Sequence, residues 1–234
     1  MNTPKKISPD RLKDTFVEIR YESKLPFEVV IGSIFHSLDG SYFYTNRQTS
    51  KNQVGSLNIS VGSSPLFYND KIKVLLIENS LLFNSLSTYI GWEEYQKEIE
   101  KVISQILKKN SPINHFTRAS VRYISEYEKT NITDCFKFSF TFGMPNVKSD
   151  VFTFRSEFIE DNLKIFLNLQ SNVKVRNKEG DNISTVDIDV LNENLKCETI
   201  EEIMSEATKA HKKQKDIFFS IINDDFLKSL NPIY

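Results

Sequence analysis

Two pairs of charged residues have the spacing of neighbours on one face of a β-strand. Arg118 and Arg122 lie four positions apart, and Asp187 and Asp189 lie two positions apart. Because the side chains of a strand alternate between its faces, each pair shares one face, opposite apolar residues. Two guanidinium groups on one surface can bind a carboxylate or a phosphate. The same pattern fits cross-strand ion pairs on a solvated sheet face, which is the interpretation we favour.

Other residues with chemical potential have weaker patterns. Asp187 and Asp189 could bind a hard cation, but they lack the loop, the glycine and the third ligand of a calcium or magnesium motif. His211 lies beside the apolar stripe of a predicted helix, where a histidine is more often packed than catalytic. Cys135 and Cys197 have no metal-binding spacing. We therefore predict no catalytic residue, no metal and no cofactor, and we favour a protein that is not an enzyme. The candidate ligand-binding residues are Arg118, Arg122, Asp187, Asp189 and His211.

The overall charge gives no sign of a polyanionic partner. The chain has 30 basic and 31 acidic residues, for a formal charge of −1, so it has no general field that attracts nucleic acid. The basic run from His211 to Lys215 spreads around a helix and is better explained as a solvated face than as a nucleic-acid patch. No run of 18 apolar residues and no signal-peptide pattern occurs, so we expect a cytoplasmic protein without membrane contact.

Most of the chain has the period of β-strands. Apolar side chains alternate with polar ones, and the many phenylalanines suit the faces of a sheet. We interpret residues 39–54 as a loop with an irregular strand, because they are polar, aromatic and interrupted by glycine. The predicted strands cover residues 15–21, 25–38, 56–62, 71–79, 80–87, 118–124, 136–142, 151–158, 163–170 and 184–191.

Two segments change to the period of a helix. In residues 91–110 apolar side chains recur at spacings of three and four, with Glu93 and Glu94 in the first turn, as the helix dipole prefers. A second helix begins after Thr199, where Thr199 and Glu202 form the pattern of a capping box. This helix extends to about residue 222 and is followed by a short terminal turn.

This order of elements predicts an α+β fold. We expect eight to ten antiparallel strands, in one curved sheet or two, backed by two long helices. Residues 1–13 carry two prolines and no apolar period, so we interpret them as a flexible arm before a single domain over 14–234. The order of strands and helix occurs twice, so the segments 14–110 and 111–234 could be structural half-repeats.

Several local motifs together resemble a known group of proteins. They are LPFEVVIGSI near the start, YIGWEEYQKEI (89–99), RASVRYI (118–124), VDIDV (186–190) and AHKKQKDIFFSIINDDF (210–226). The set resembles a sporadically distributed family of uncharacterised prokaryotic proteins of about this length, over residues 24–227. The family's Arg-x-x-x-Arg-Tyr-Ile-Asn strand is matched from Arg118 to Ile124, whereas Ser125 replaces the asparagine. The resemblance implies no catalytic residue, because the family has no assigned activity.

These observations lead to three functional hypotheses. The first is a non-enzymatic protein-binding or accessory protein that recognises another protein, or itself, through a sheet face or an edge strand. The patchy distribution of the resembling family implies a defence-linked or mobile-element-linked system. The second hypothesis is a binder of a small anion or nucleotide, or an enzyme, that uses the Arg118/Arg122 and Asp187/Asp189 face. The third is a nucleic-acid-binding protein.

Overall fold

A computed structural model describes residues 3–38, 40–50, 61–86, 88–108, 111–139, 150–174 and 182–234, with backbone alone for 47–50 and 61–63. These residues form an α+β fold with nine strands and five helices, which confirms the predicted fold class. None of their helices combines the length and the apolar character needed to cross a membrane. The elements are β1 (Leu12–Glu22), α1 (Phe27–Leu38), β2 (Phe43–Ser50), β3 (Val61–Tyr68), β4 (Ile72–Ile77), β5 (Ser80–Ser85), α2 (Trp92–Ile106), β6 (His115–Glu128), α3 (Ile132–Cys135), β7 (Phe152–Glu160), β8 (Leu163–Lys174), β9 (Asn182–Cys197), α4 (Ile200–Ile221) and α5 (Asp224–Ser229).

The strands form one antiparallel sheet in the order β2-β3-β4-β5-β1-β6-β9-β8-β7. Strands that follow one another in the chain pair as hairpins, as in β2 with β3, β4 with β5 and β7 with β8. The first strand, β1, does not stay at an edge but lies between β5 and β6. The two edge strands of the described sheet are therefore β2 and β7.

The chain divides into two compact units. Unit 1 comprises Met1–Thr15, Val121–Leu191 and Lys209–Tyr234, and unit 2 comprises Phe16–Ser120 and Asn192–Thr208. Four elements, β1, β6, β9 and α4, contribute residues to both units. These boundaries differ from the half-repeats 14–110 and 111–234, and the expected duplication stays a prediction.

Unit 2 has a core between strands β1 to β5 and the helices α1 and α2. One face of β1 is buried at Val17, Ile19 and Tyr21, as the alternating sequence dictates. Helix α2 buries the side chains that recur along one face, because its apolar positions follow the helical period. The buried residues of α2 are Tyr95, Glu98, Ile99, Val102, Ile103 and Ile106.

Unit 1 has its own core, in which β6, β8 and β9 present alternate apolar residues. Val121, Val186 and Ile188 have no more than 1% of their surface exposed. An aromatic cluster closes this core, since the Tyr127 and Phe136 rings lie 5.5 Å apart, edge to face. The amides of Lys5, Lys6 and Ser8 donate to the carbonyls of Ile233 and Leu230. These three residues belong to the segment that we interpreted as a flexible arm.

The strand predicted over residues 25–38 is wrong, because this segment contains helix α1. The buried residues of the segment are Val30, Ile34 and Leu38, which are four apart and so follow the helical period. The Pro26 carbonyl accepts the first helical hydrogen bonds, from the amides of Val29 and Val30. A segment so rich in β-branched and aromatic residues fits the period of a strand as well as that of a helix. The burial of one helical stripe decides in favour of the helix.

The interpretation of residues 39–54 as mainly a loop is also corrected. Residues 43–50 form the regular edge strand β2, which pairs with β3 over eight residue pairs. The strands predicted near 15–21, 71–79, 80–87, 118–124, 151–158, 163–170 and 184–191 are confirmed as β1, β4, β5, β6, β7, β8 and β9. The strand predicted over 56–62 lies outside the described residues apart from the start of β3. Of the strand predicted over 136–142, residues 136–139 are described and contain only an isolated bridge at Phe136, so this part of the prediction is wrong.

Both predicted long helices are confirmed as α2 and α4, of 15 and 22 residues. The capping box at the start of α4 has the expected geometry. The Glu202 amide donates to Thr199 Oγ1 at 3.2 Å, and the Thr199 amide donates to the Glu202 carboxylate at 3.2 Å. Helix α2 begins after Gly91, whose φ of 87° lies in the left-handed region that favours glycine.

Candidate functional site

The charged face of unit 1 is built around an ion pair between Arg122 on β6 and Asp187 on β9. Arg122 Nε donates to Asp187 Oδ1 at 2.8 Å, and an Arg122 Nη donates to Oδ2 at 2.7 Å. Asn168 lies opposite Asp187 in the register of β8 and β9 and donates to the same Oδ2 at 3.3 Å. The arrangement is a bidentate arginine–carboxylate pair, and its carboxylate accepts three hydrogen bonds.

The two members of this pair differ in exposure. The Arg122 side chain is 43% exposed, whereas the Asp187 side chain is only 12% exposed. The hydrogen bonds to Asp187, with the charges of Asp187, Asp189 and Asp14, raise the pKa of Arg122 above its usual value, although burial opposes them. Asp187 takes the Nε side of the Arg122 guanidinium and neutralises its charge, so an incoming anion would meet a cation that is already paired. The pair therefore has the properties of a structural contact.

Further charges continue across the same face onto β7 and β8. The Lys164 ammonium lies 2.7 Å from the Glu157 carboxylate and 5.2 Å from the centre of the Phe166 ring. The Arg155 guanidinium lies 5.8 Å from the same ring. Exposed pairs of this kind each contribute about 0–1 kcal/mol of stability. They form a mixed-charge surface without one dominant sign.

Arg118 has a different partner from the one we expected. It lies in unit 2, where one Nη is 3.5 Å from Glu18 Oε2. The other oxygen of Glu18 accepts hydrogen bonds from Arg20 Nε and Ser80 Oγ, each at 2.9 Å. The described contact of Arg118 is thus with Glu18 on β1, the other neighbour of β6, and its expected pairing with the two aspartates stays a prediction. A ligand-binding role for Arg118 stays a prediction.

His211 is packed on α4 in unit 1. Its ring lies 5.7 Å from the ring of Tyr123 on β6. Burial, with a smaller effect of the Lys215 charge, lowers the pKa of His211 to about 3, so the ring is neutral near pH 7. In the basic run, Lys213 contacts the carboxylates of Glu160 and Asp161 at 3.0 and 2.6 Å. This part of the run is neutralised within the protein.

The structure gives no support to a metal centre at Asp187 and Asp189. Over the described ranges, no three histidine, cysteine, aspartate or glutamate side chains come together in a way that could hold an ion. Cys135 and Cys197 are not joined in a disulfide, and burial raises the pKa of Cys135. A reactive cysteine nucleophile needs a lowered pKa, so the raised pKa of Cys135 argues against that role for its thiol.

A second surface, absent from our predictions, lies at the outer edge of unit 2. We call it the aromatic edge and define it by the exposed residues Phe35, Phe43, Tyr44 and Tyr68, with the buried Phe67 beneath them. The Tyr44 ring lies 5.2 Å from those of both Phe35 and Phe67, and the Phe43 ring lies 5.5 Å from that of Tyr68. Phe43 is 70% exposed and Phe35 is 45% exposed.

The register of the β2–β3 hairpin produces this aromatic edge. Phe43 lies opposite Tyr68, and Tyr44 lies opposite Phe67, so the alternation of side chains places one aromatic pair on each face of the hairpin. Helix α1 adds Phe35 to the face that carries Tyr44. The signal in the sequence was the pair of Phe-Tyr doublets at 43–44 and 67–68. We missed their pairing because we interpreted residues 39–54 as a loop with an irregular strand.

Comparisons with known proteins give no further assignment. No protein-family model, no curated protein and no solved structure matches the chain. The resemblance drawn from local motifs therefore stays a prediction. The functional argument depends on the two surfaces described above.

Proposed function

We propose that this chain is a non-enzymatic protein-binding protein and that the aromatic edge of unit 2 is its recognition surface. The observation that carries the proposal is the exposure of Phe43, Phe35 and Tyr44 beside a sheet edge. Exposed apolar residues that cluster mark interaction sites more reliably than isolated ones. Aromatic side chains also supply much of the binding energy at protein interfaces.

The geometry supports recognition by strand addition. In the described part of the sheet, β2 pairs with β3 and with no other strand, so its outer backbone groups are available to a partner. An added strand would contact Phe43 on one face and Tyr44 with Phe35 on the other. Burying an exposed phenylalanine completely contributes about 1.5–3 kcal/mol, so two or three such anchors supply a usable affinity.

The charged face of unit 1 supports the two alternatives less well. Asp187 occupies the fork of Arg122 at 2.7–2.8 Å, which leaves no free pair of guanidinium groups for an anion. Lys213 is neutralised by two carboxylates, which reduces the cationic surface that nucleic acid would need. An accessory role in a prokaryotic, defence-linked or mobile-element-linked system is part of the proposal, on the strength of the sequence resemblance.

The proposal can be tested by quantitative affinity capture from the source organism. The bait proteins are the unchanged chain, the double variant Phe43→Lys/Tyr68→Lys, and Ile159→Lys as a matched control. Ile159 lies on the other edge strand and is 74% exposed, so this control also places a lysine at an exposed apolar position. We expect the double variant to lose at least about tenfold in recovery of specific partners.

A second control separates the two surfaces. The variant Arg118→Ala/Arg122→Ala removes both arginines and leaves the aromatic edge unchanged, so it should retain its partners. Equal recovery with the unchanged chain and with Phe43→Lys/Tyr68→Lys would refute the proposal. Loss of partners in the arginine variant alone would move the recognition surface to the charged residues.

A further inference from the structure

The pairing of β2 with β3 determines which backbone groups face outward. Asn46 lies opposite Pro65, and proline has no N–H to donate, so this pair is the kind that exchanges no hydrogen bonds. The pairing of β3 with β4 covers Leu66 to Tyr68 and does not include the preceding residue, Pro65, as expected if the Pro65 nitrogen faces β4. By alternation, the N–H and C=O groups of Tyr44 and Asn46 point away from β3.

Over the described residues, this outer edge has little of the usual protection against strand pairing. Proteins protect their free edges with charged residues, proline, bulges or covering segments. Strand β2 has one charged residue, Arg47, in eight, and β3 has none. The opposite edge strand, β7, carries Arg155, Glu157 and Glu160 in nine residues. The unprotected edge is therefore also the edge that carries the aromatic residues.

We propose that the occupant of the aromatic edge is a second copy of this chain, whose β2 pairs antiparallel with β2 across a two-fold axis. The inference rests on the proposed function and names its partner. A nearly uncharged strand can pair with itself without like-charge repulsion. The outward backbone groups of both copies can pair when the two-fold axis passes through Tyr44, Thr45 or Asn46. In each of these registers, Arg47 does not lie opposite Arg47 of the other copy. The same contact buries two sets of aromatic anchors at once.

The test is sedimentation equilibrium of the full chain over a range of micromolar concentrations. The unchanged chain should show a concentration-dependent monomer–dimer equilibrium. Asn46→Pro removes an outward N–H but no hydrogen bond to β3, and it should weaken the dimer at least about tenfold. Phe43→Lys adds a charge to the edge and should have the same effect, so the test does not depend on one variant. Ile159→Lys on β7 should leave the dimer unchanged.

Circular dichroism and thermal melting verify that each variant is folded. A chain that stays monomeric throughout the concentration range would overturn the second-copy inference. A dimer that Ile159→Lys weakens, and that the two β2 variants leave intact, would overturn it too. Neither result decides the proposed function, which fails only if partner capture is insensitive to Phe43→Lys/Tyr68→Lys. The two failures are therefore distinguishable.

Discussion

The ion pair between Arg122 and Asp187 predicts an unequal response to the loss of either partner. Removing Arg122 leaves Asp187, which is only 12% exposed, with one hydrogen bond from Asn168 at 3.3 Å. Removing Asp187 leaves Arg122, which is 43% exposed and can be hydrated. Because a charge stranded away from water costs more than a charge that water reaches, Arg122→Ala should be the more destabilising variant.

The magnitudes follow from these exposures. An unsatisfied buried group costs about 1–3 kcal/mol, so we expect about 2 kcal/mol for Arg122→Ala. For Asp187→Ala, where the remaining charge reaches solvent, we expect about 1 kcal/mol. The double variant should lose less than the sum of the two, by a coupling free energy of about 1 kcal/mol. Arg155→Ala is the matched control, since its described contact is with the Phe166 ring at 5.8 Å, and it should cost under about 1 kcal/mol.

Urea denaturation followed by far-UV circular dichroism measures these differences, provided that the slope of each transition is unchanged. A larger loss in Asp187→Ala than in Arg122→Ala would contradict the assignment of Asp187 as the member sheltered from water. No loss in either variant would mean that the pair is not structural. The anion-binding hypothesis for this face would then become the better one.

Three further predictions concern single positions. Burial lowers the pKa of His211 to about 3 in the folded chain, against 6.5 for an unperturbed histidine. As the pH falls, the unfolded chain therefore binds the proton first. The free energy of unfolding should decrease below about pH 6.5, by at most about 1.4 kcal/mol per pH unit. His211→Gln should flatten this dependence in urea titrations between about pH 7 and about pH 4.5, and an unchanged slope would contradict the assignment. Thr199→Ala removes one hydrogen bond of the capping box and should lower the free energy of unfolding by about 1 kcal/mol, whereas an exposed Glu201→Ala in the same turn should change it far less. Gly91→Ala should cost about 1–2 kcal/mol in thermal melts through its left-handed backbone alone, because a Cβ there would meet nothing within 4 Å; a neutral result would show that the helix entry relaxes.

The sequence predicted those elements whose period was unambiguous. Helix α2 has one apolar face and one charged face along its 15 residues. Strands such as β9 bury every second residue over much of their length. In both cases the local sequence pattern agrees with the packing. The capping box of α4 was equally informative, because Thr199 and Glu202 bond to each other's backbone and need no distant partner.

The prediction failed where the outcome depends on distant neighbours. Segment 25–38 fits two periods, and the burial of Val30, Ile34 and Leu38 selects the helix. The partner of Arg118 depends on which strand lies beside β6, and the sequence does not specify that β1 takes this place. The aromatic edge went unrecognised for the same reason, since it exists only when α1 and the β2–β3 hairpin are placed together.

The single tryptophan of the chain, Trp92, opens helix α2 within unit 2. Its indole lies edge-on to Tyr95, with ring centres 6.4 Å apart, and Tyr95 has no exposed surface. Tryptophan fluorescence, excited at a wavelength that tyrosine does not absorb, therefore reports the melting of unit 2, whereas far-UV ellipticity sums both units. Superimposable curves from the two signals would identify one cooperative block, and separated midpoints would identify two.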